Sequence, residues 1–167
     1  MPDDLPEMIR INRDPEVMEY FPSLQDRQQT MEFVSRMQQQ FVERGYCYFA
    51  IDILESGSFI GFIGLSWQTY KADFTPCVDI GWRLKKEVWN QGFAKEGAMR
   101  CLAYAFDDLG LKEVYAVAPE INDKSIHIMQ AIGMKLADAF DHPLLLNDGR
   151  LRRCVVYGVR ANEDASA

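Results

Sequence analysis

The segment VWNQGFAKEG, Val88 to Gly97, decides the fold because it joins two different sequence patterns. Before it, VDIGWRL has the aromatic and β-branched residues that are typical of a strand. After it, small and apolar residues recur at helical spacing, namely Ala94, Ala98, Cys101, Leu102, Ala105 and Leu109, up to a stop at Gly110. A strand that turns at Gly92 into a helix leaves several backbone N–H groups without intrahelical acceptors. Those groups and the positive end of the helix dipole predict a binding site for a phosphate or pyrophosphate.

The small residues at this helix start also have a purely structural interpretation. Gly92 and Ala94 could allow close packing of the helix on a sheet, which is the commoner role of one isolated Gly-x-Ala step. In the binding interpretation, a side chain larger than methyl at either position would hold the anion away from the backbone amides. The chain contains neither G-x-x-x-x-G-K-[ST] nor G-x-G-x-x-G, the two common nucleotide-binding motifs. On this segment alone, both interpretations stay open.

Outward from this segment, hydrophobic periodicity and turn residues define the other elements. In chain order we predict a helix at 4–13, a turn carrying Val17 and Met18, a helix capped by Ser23 and stopped at Gly45, strands in YCYFAIDIL and FIGFIGLSW, a strand at Val78–Leu84, the helix after Gly92, a strand at Val114–Ala118, a helix at Asn122–Ile132, and strands at Leu136–Phe140 and Leu151–Val159. This order predicts an α+β fold with helices packed on a mixed, mostly antiparallel sheet.

Composition limits the possible partners. The chain has 167 residues, which favours one domain, placed at residues 1–160 with a disordered tail at 161–167. The net charge of −7, from 18 Lys and Arg against 25 Asp and Glu, disfavours a nucleic acid partner. The four cysteines are scattered and lack a C-x-x-C pair, so neither a disulfide framework nor a metal site is predicted. Without a signal peptide or an apolar run of about 20 residues, the sequence predicts a soluble, cytoplasmic protein with no membrane partner.

Two segments together carry a family resemblance. WNQGFAKE, followed about 25 residues later by NDKSIHIMQAIGM, resembles the GNAT (Gcn5-related) N-acetyltransferase superfamily, in its RimJ/RimL-like branch. The acetyl-CoA loop of that family reads Q/R-x-x-G-x-G/A, and its RimJ/RimL-like members commonly have W-G-x-G-Y-A. Here Trp89, Gly92, Phe93 and Ala94 occupy the corresponding places of the second form, with Asn90 replacing its first glycine. The resemblance extends through DPEVMEYF, FIGFIGL, VDIGWRL, FDHP and LRRCVVYGV. Members of the family normally begin with a strand, which this chain lacks, so one sheet edge is expected to be open.

The resemblance implies that the protein is an enzyme with acetyl-CoA as co-substrate. It implies an N-acetyltransferase that moves the acetyl group to a primary amine by direct attack in a ternary complex. The weaker parts of the motif leave an alternative, a non-catalytic acyl-CoA sensor or an interaction module. A homodimer is a further expectation, because many GNAT proteins pair their subunits.

The resemblance also assigns the cofactor contacts. The pantetheine arm would pair with the backbone of Trp82, Arg83 and Leu84, and the Trp82 N–H would face the thioester oxygen as an oxyanion donor. Asn122 and Ser125 match the N-x-x-S pattern beside the pantetheine and the sulfur. Lys85 and Lys86 could reach the phosphates or could be ordinary solvated lysines. The pyrophosphate site would be formed by Trp89, Asn90, Gln91, Gly92, Phe93, Ala94 and Lys95.

Three residues are the catalytic candidates. Ser125 would protonate the leaving thiolate, because Met129 stands where many GNAT enzymes place a tyrosine. Its alternative role, a hydrogen bond at the helix start, stays open. Asp79 is the candidate base, although the amine could also arrive neutral or lose its proton to water. Trp82 is the third through its backbone, whereas neither histidine, His127 or His142, is assigned a role.

The acceptor amine is expected to contact the region between the first two helices. Glu19, Tyr20 and Phe21 lie there, and Trp67 follows the second strand as a further wall candidate. These aromatic side chains could equally belong to the core, which is their commoner place. The acidic charge of the chain agrees with a protein N-terminal amine or a small cationic amine and separates neither from the other.

Overall fold

The computed structural model describes residues 4–161, and it has the expected α+β architecture. Apart from Ala161, the predicted tail lies outside the described residues. The helices are α1 (Leu5–Arg13), α2 (Arg27–Arg44), α3 (Phe93–Ala103) and α4 (Asp123–Ala131). The strands are β1 (Tyr48–Ile53), β2 (Ser58–Gln68), β3 (Cys77–Leu84), β4 (Glu113–Pro119), β5 (Lys135–Asp141) and β6 (Arg153–Arg160). No helix in this described part is long and apolar enough to cross a membrane.

The six strands form one sheet in the order β1-β2-β3-β4-β6-β5, with β1 at one edge. Every neighbouring pair is antiparallel except β3 and β4, which are parallel. The parallel ladder is confined to one register position, Asp79 opposite Tyr115. Because the ladder stops there, the ends of β3 and β4 are separate, and the sheet opens between them.

The start of α2 differs from the prediction. Ser23 is not the N-cap; Asp26 is, because its carboxylate accepts from Gln29 N at 2.8 Å. The Gln29 side chain accepts in return from Asp26 N at 2.9 Å, which completes a capping box. The helix ends as predicted at Gly45, whose φ of 79° is in the left-handed region that favours glycine.

The segment between α1 and α2 is a series of turns that contributes to the core. Val17 and Met18 lie there, as predicted, and both are buried. Asp14 stabilises the turn because its side chain accepts from Glu16 N at 2.9 Å. Val17 packs with Met8, Ile11 and Phe62 in a small cluster on this face of the sheet. The main core lies on the other face, between the sheet and α3 and α4.

Candidate active site

A cleft of about 680 Å³ opens where β3 and β4 separate. Its walls are the end of β3, the loop into α3, the first turns of α4, and the turns between α1 and α2. Most of the residues predicted for the site line it: Tyr20, Phe21, Trp82, Arg83, Leu84, Trp89, Asn90, Gly92, Phe93, Ala94, Lys95, Asn122 and Ser125. The lining does not include Asp79, Gln91, Glu19 or Trp67.

The start of α3 has the geometry of an anion site. Gly92 is the N-cap with φ 90°, and no side chain caps the helix. The first intrahelical bond is from Glu96 N to Gly92 O at 3.0 Å, so the N–H groups of the preceding turn have no helical acceptor. Asn90 also has a positive φ, 60°, which bends the loop ahead of the helix. The backbone donors at this end of α3 are therefore available to a ligand in the cleft.

The packing interpretation applies to a different glycine. Nothing lies within 4 Å of the position that a Cβ would take on Gly92. A Cβ on Gly97, one turn further along α3, would lie 2.5 Å from Ile63 Cδ1. Gly97 therefore allows α3 to pack closely on β2, whereas Gly92 provides the left-handed turn and open space beside the amides.

The backbone of β3 offers a second row of unpaired groups. Lys85 N donates to Ile60 O of the β2 side at 2.9 Å. Because backbone groups point to alternate sides along a strand, Arg83 also faces β2, opposite Phe62. Trp82 and Leu84 face the opening instead, although Leu84 O already accepts from the Trp89 indole at 2.9 Å. The Arg83 backbone is thus directed at β2, and Trp82 and the Leu84 amide are the β3 groups that face the opening.

The sequence left two roles open at the start of α4, a hydrogen bond that caps the helix and a contact with the ligand. Asn122 is the N-cap of α4, since its side-chain oxygen accepts from Ser125 N at 3.1 Å. Within residues 4–161 the Ser125 hydroxyl has no recorded hydrogen bond, and Ser125 lines the cleft. Met129 is 2% exposed in the core. The Asn122 side chain thus caps the helix, and the Ser125 hydroxyl is free to interact with a ligand.

One face of α4 contributes residues that the sequence reasoning did not assign. Lys124, His127, Ile128 and Ala131 line the cleft, and their spacing of three, one and three residues is that of a helix face. Lys124 Nζ lies 4.4 Å from the centroid of the Trp89 ring, a cation–π contact. Helical spacing counted from Ser125 reaches only Ile128 of this face, so the other three residues are identified by the structure alone.

The other predicted lysines differ in their surroundings. Lys86 Nζ lies 2.7 Å from Glu16 Oε1 and 3.8 Å from Asp14 Oδ2, so its charge is already paired. Lys85 is outside the cleft lining, whereas Lys95 is part of it. Glu16, which the sequence reasoning did not assign, also lines the cleft.

Two of the predicted acceptor residues lie elsewhere. Glu19 is exposed, and its carbonyl accepts from Arg150 Nη2 at 2.6 Å. Trp67 packs against the core, with the Arg44 guanidinium carbon 4.6 Å from its ring centroid. Neither residue lines the cleft.

Asp79 lies at the closed end of the opening, where β3 and β4 meet. Its two carboxylate oxygens accept from the Tyr48 hydroxyl at 2.8 Å and from Gln68 Nε2 at 3.0 Å. Burial raises the pKa of Asp79 to about 6, and the two hydrogen bonds oppose that shift. Its proton affinity would suit a base, but the cleft lining does not include it.

The Asp79→Asn variant is expected to be more stable than the wild type above pH 6. The carboxyl pKa rises from 3.8 to about 6 on folding, so the folded state binds more protons than the unfolded state between these values. The free energy of unfolding therefore falls as pH rises through this window, and the variant lacks that fall. We expect a gain of about 3 kcal/mol at pH 7.5, measured by urea unfolding at pH 4.5 and 7.5. Asp52→Asn, at an exposed position of β1, is the control, and equal pH slopes for wild type and Asp79→Asn would contradict the expectation.

The described residues contain no group of three or more His, Cys, Asp or Glu side chains placed to hold a metal ion. All four cysteines are free. The cleft lining offers backbone N–H groups, the hydroxyls of Ser125 and Tyr20, and side chains of both charges.

An opening between two parallel strands, unpaired backbone on one of them, and an uncapped helix start beside it form a site for an extended ligand that carries an anionic group. The sequence model of the acetyltransferase (GNAT) domain matches residues 1–135. The chain belongs to the GNAT acetyltransferase family, whose co-substrate is acetyl-CoA. The uncapped amides of α3 and the open space at Gly92 fit the phosphates of that cofactor.

Two known proteins are similar to this chain in sequence. The chain is 30% identical over 121 residues to the uncharacterized protein YkkB of Bacillus subtilis, covering 72% of this chain and 69% of YkkB. It is 34% identical over 88 residues to FsC-acetyl coenzyme A-N(2)-transacetylase of Aspergillus fumigatus, covering 50% of this chain and 37% of that protein.

Solved structures share the fold at low sequence identity. An acetyltransferase from Agrobacterium tumefaciens has a TM-score of 0.79 at 22% identity, covering 96% of this chain and 87% of the other. The ribosomal-protein-S5-alanine acetyltransferase of Vibrio fischeri has a TM-score of 0.76 at 14% identity, with coverages of 96% and 90%. Spermidine N-acetyltransferase of Vibrio cholerae, solved with CoA and spermine, has a TM-score of 0.74 at 18% identity, with coverages of 96% and 91%.

Proposed function

We propose that the protein transfers the acetyl group of acetyl-CoA to a primary amine by direct attack in a ternary complex. The observation that carries the proposal is the meeting, in one cleft, of an uncapped helix start and the outward-facing backbone of Trp82. The helix start would hold the pyrophosphate, and the strand would hold the pantetheine and the thioester.

The reaction needs no covalent enzyme intermediate. The amine nitrogen forms a bond to the acetyl carbon, and the Trp82 N–H stabilises the negative charge that develops on the carbonyl oxygen. The carbon–sulfur bond then breaks, and the thiolate takes a proton from the Ser125 hydroxyl, directly or through water. The ammonium proton of the adduct leaves to water, and water returns a proton to the Ser125 oxygen, so the enzyme is regenerated. Asp79 as the final base stays a prediction that requires a water chain, because its carboxylate is held by Tyr48 and Gln68 away from the cleft lining.

Ser125→Ala tests the proposed acid. We expect kcat to fall about 10- to 100-fold while the KM for acetyl-CoA changes little, because the proton is transferred only in the transition state. The measurement is thiol release from acetyl-CoA across a panel of amines. Ser35→Ala, at an exposed position of α2, is the matched control. An unchanged kcat in Ser125→Ala would remove Ser125 from the mechanism.

A second candidate function is an acyl-CoA sensor without turnover. It is favoured by the burial of Met129 in the core, since this is the position at which many GNAT enzymes have a tyrosine. The same assay separates the two functions. Tight CoA binding without thiol release above background, for every amine tested, would favour the sensor.

The acceptor is proposed to be a protein N-terminal amine or a small cationic amine. Asp123 lines the cleft and would attract an ammonium group. Membership of the RimJ/RimL-like branch belongs to the same proposal and is supported by the fold likeness to the ribosomal-protein acetyltransferase. A cytoplasmic location is part of the same proposal, since free cysteines are typical of reducing compartments.

A homodimer is proposed from the position of β1. This strand forms an edge of the sheet, and an edge strand can pair with a second copy. Light scattering at two protein concentrations that gave only the monomer mass would refute the dimer.

A further inference from the structure

Arg83 is a buried cation in the part of the cleft that contains Tyr20 and Phe21. The acceptor amine is expected to bind in this part, which we call the acceptor half of the cleft. Arg83 is 7% exposed, and it lines the cleft with Tyr20 and Phe21. Its guanidinium carbon lies 4.0 Å from the ring centroid of Phe21 and 5.3 Å from that of Phe62. Both rings thus contact the guanidinium, and cation–π contacts of this kind contribute about 0.5 to 2 kcal/mol each.

The charge of Arg83 is not neutralised by the fold. Nη1 donates to Asn12 Oδ1 at 2.6 Å, and this neutral amide is the hydrogen-bond acceptor recorded for the guanidinium. Nε is enclosed without a hydrogen-bond partner. Among the residues that the structure describes, no carboxylate lies within 4.0 Å of Arg83, whereas Lys86 nearby in the chain is paired with two acids. Burial lowers the pKa of Arg83 to about 10, so the side chain still carries its charge at neutral pH.

The surroundings also fix the orientation of this cation. Asn12 is fully buried, and its side-chain amide donates to Gln25 Oε1 and Thr30 Oγ1, both at 3.0 Å. A network that joins α1 and the start of α2 therefore positions the one oxygen that holds Arg83. An unpaired buried charge costs several kcal/mol, and a neutral side chain of similar size would avoid that cost. A fixed, desolvated guanidinium without an acid is thus suited to an anion that arrives with a ligand.

We propose that Arg83 binds a carboxylate of the acceptor, so that the substrate is a small amine that also carries a carboxyl group. This inference rests on the proposed acetyl transfer, and it narrows the acceptors because a polyamine has no carboxylate. Arg83 directly follows Trp82, whose N–H faces the opening. A carboxylate on Arg83 would hold the amine of the same small molecule beside the thioester carbonyl.

A phosphate of the cofactor is the other anion that could reach the cleft. The backbone donors of α3, with Lys95 and Lys124, already provide a phosphate site in the other half of the cleft. If Arg83 served the cofactor, Arg83→Gln would weaken acetyl-CoA binding. If it serves the acceptor, the same change leaves acetyl-CoA binding unaltered.

The test is a calorimetric titration in two steps. Acetyl-CoA is titrated into wild type first; no binding there would refute the proposed function itself. The CoA-loaded protein is then titrated with matched pairs, each an amino acid and the amine that lacks its carboxylate: lysine and cadaverine, histidine and histamine, phenylalanine and phenethylamine. We expect an amino acid to bind at least about 10-fold more tightly than its partner amine.

Arg83→Gln is expected to abolish this difference within a pair while the affinity for acetyl-CoA stays within about 2-fold. Arg83→Lys keeps the charge but not the planar fork, and it is the second variant should the glutamine variant unfold; we expect an intermediate preference. Equal affinities within the pairs in wild type, no binding of any amino acid, or an unchanged preference in both variants would overturn the inference.

Discussion

Gly92→Glu is expected to raise the Kd for acetyl-CoA at least about 100-fold without unfolding the protein. The open space beside Gly92 is where the pyrophosphate would lie, so the new carboxylate would occupy it and repel the phosphates. The left-handed backbone of Gly92, with φ 90°, adds strain of about 1 to 2 kcal/mol to any other residue. Calorimetric titration of acetyl-CoA into the folded variant measures the effect.

Gly110→Glu is the matched control for this variant. Gly110 also has a positive φ, 63°, and open space around the position of a Cβ, but it does not line the cleft. The control therefore carries the same charge change and a similar backbone strain. Normal affinity in Gly92→Glu, or an equal loss in both variants, would show that the helix start is not the phosphate site.

Gly64→Ala is expected to lower the free energy of unfolding by about 3 kcal/mol or more. Gly64 is buried in β2, opposite Tyr48 of β1. A Cβ at this position would lie 2.7 Å from Tyr48 Cα and would also collide with the carbonyl oxygen of Cys47. Because both atoms belong to the backbone of β1, no side-chain rotation can relieve the overlap, and the pairing of β1 with β2 must loosen.

Gly158→Ala is the control, because it replaces a strand glycine by alanine at a position where the new methyl group does not overlap with backbone atoms. Gly158 lies in β6, and a Cβ there would meet the ring of Tyr115 at 3.3 Å, a side chain that can shift. We expect a change of less than about 1 kcal/mol in this control, measured for both variants by urea unfolding. Equal stabilities of the two variants would mean that β1 accommodates the methyl group.

The sequence predicted the order of helices and strands because hydrophobic period and turn residues act locally. The start of α2 is an informative error. Ser23 and Asp26 both favour N-caps, and only Asp26 has a glutamine three residues later to complete the box. A serine three residues before an aspartate satisfied the pattern, but the reciprocal hydrogen bond to Gln29 decided the boundary.

The residues predicted to hold the cofactor line one cleft because they lie in a few continuous segments. The residues predicted for the acceptor were only partly brought there, because the lining on that side comes from the turns after α1 and from β3. Whether Trp67 faces the cleft depends on how β2 packs, and the structure places it under Arg44 instead. Arg83 was assigned through its backbone alone, since the absence of an acid beside its side chain emerges only from the packing of Phe21 and Asn12 against it.

The single ladder position between β3 and β4 has a mechanical consequence. It divides the sheet into two three-stranded halves, one built from β1, β2 and β3 with α3, the other from β4, β5 and β6. Backbone hydrogen bonds between the halves are therefore few, and one shared apolar core holds the halves together. A pantetheine chain lying along Trp82 would add backbone hydrogen bonds at this gap. Cofactor binding would thus also stiffen the sheet at the point where its own strands pair least.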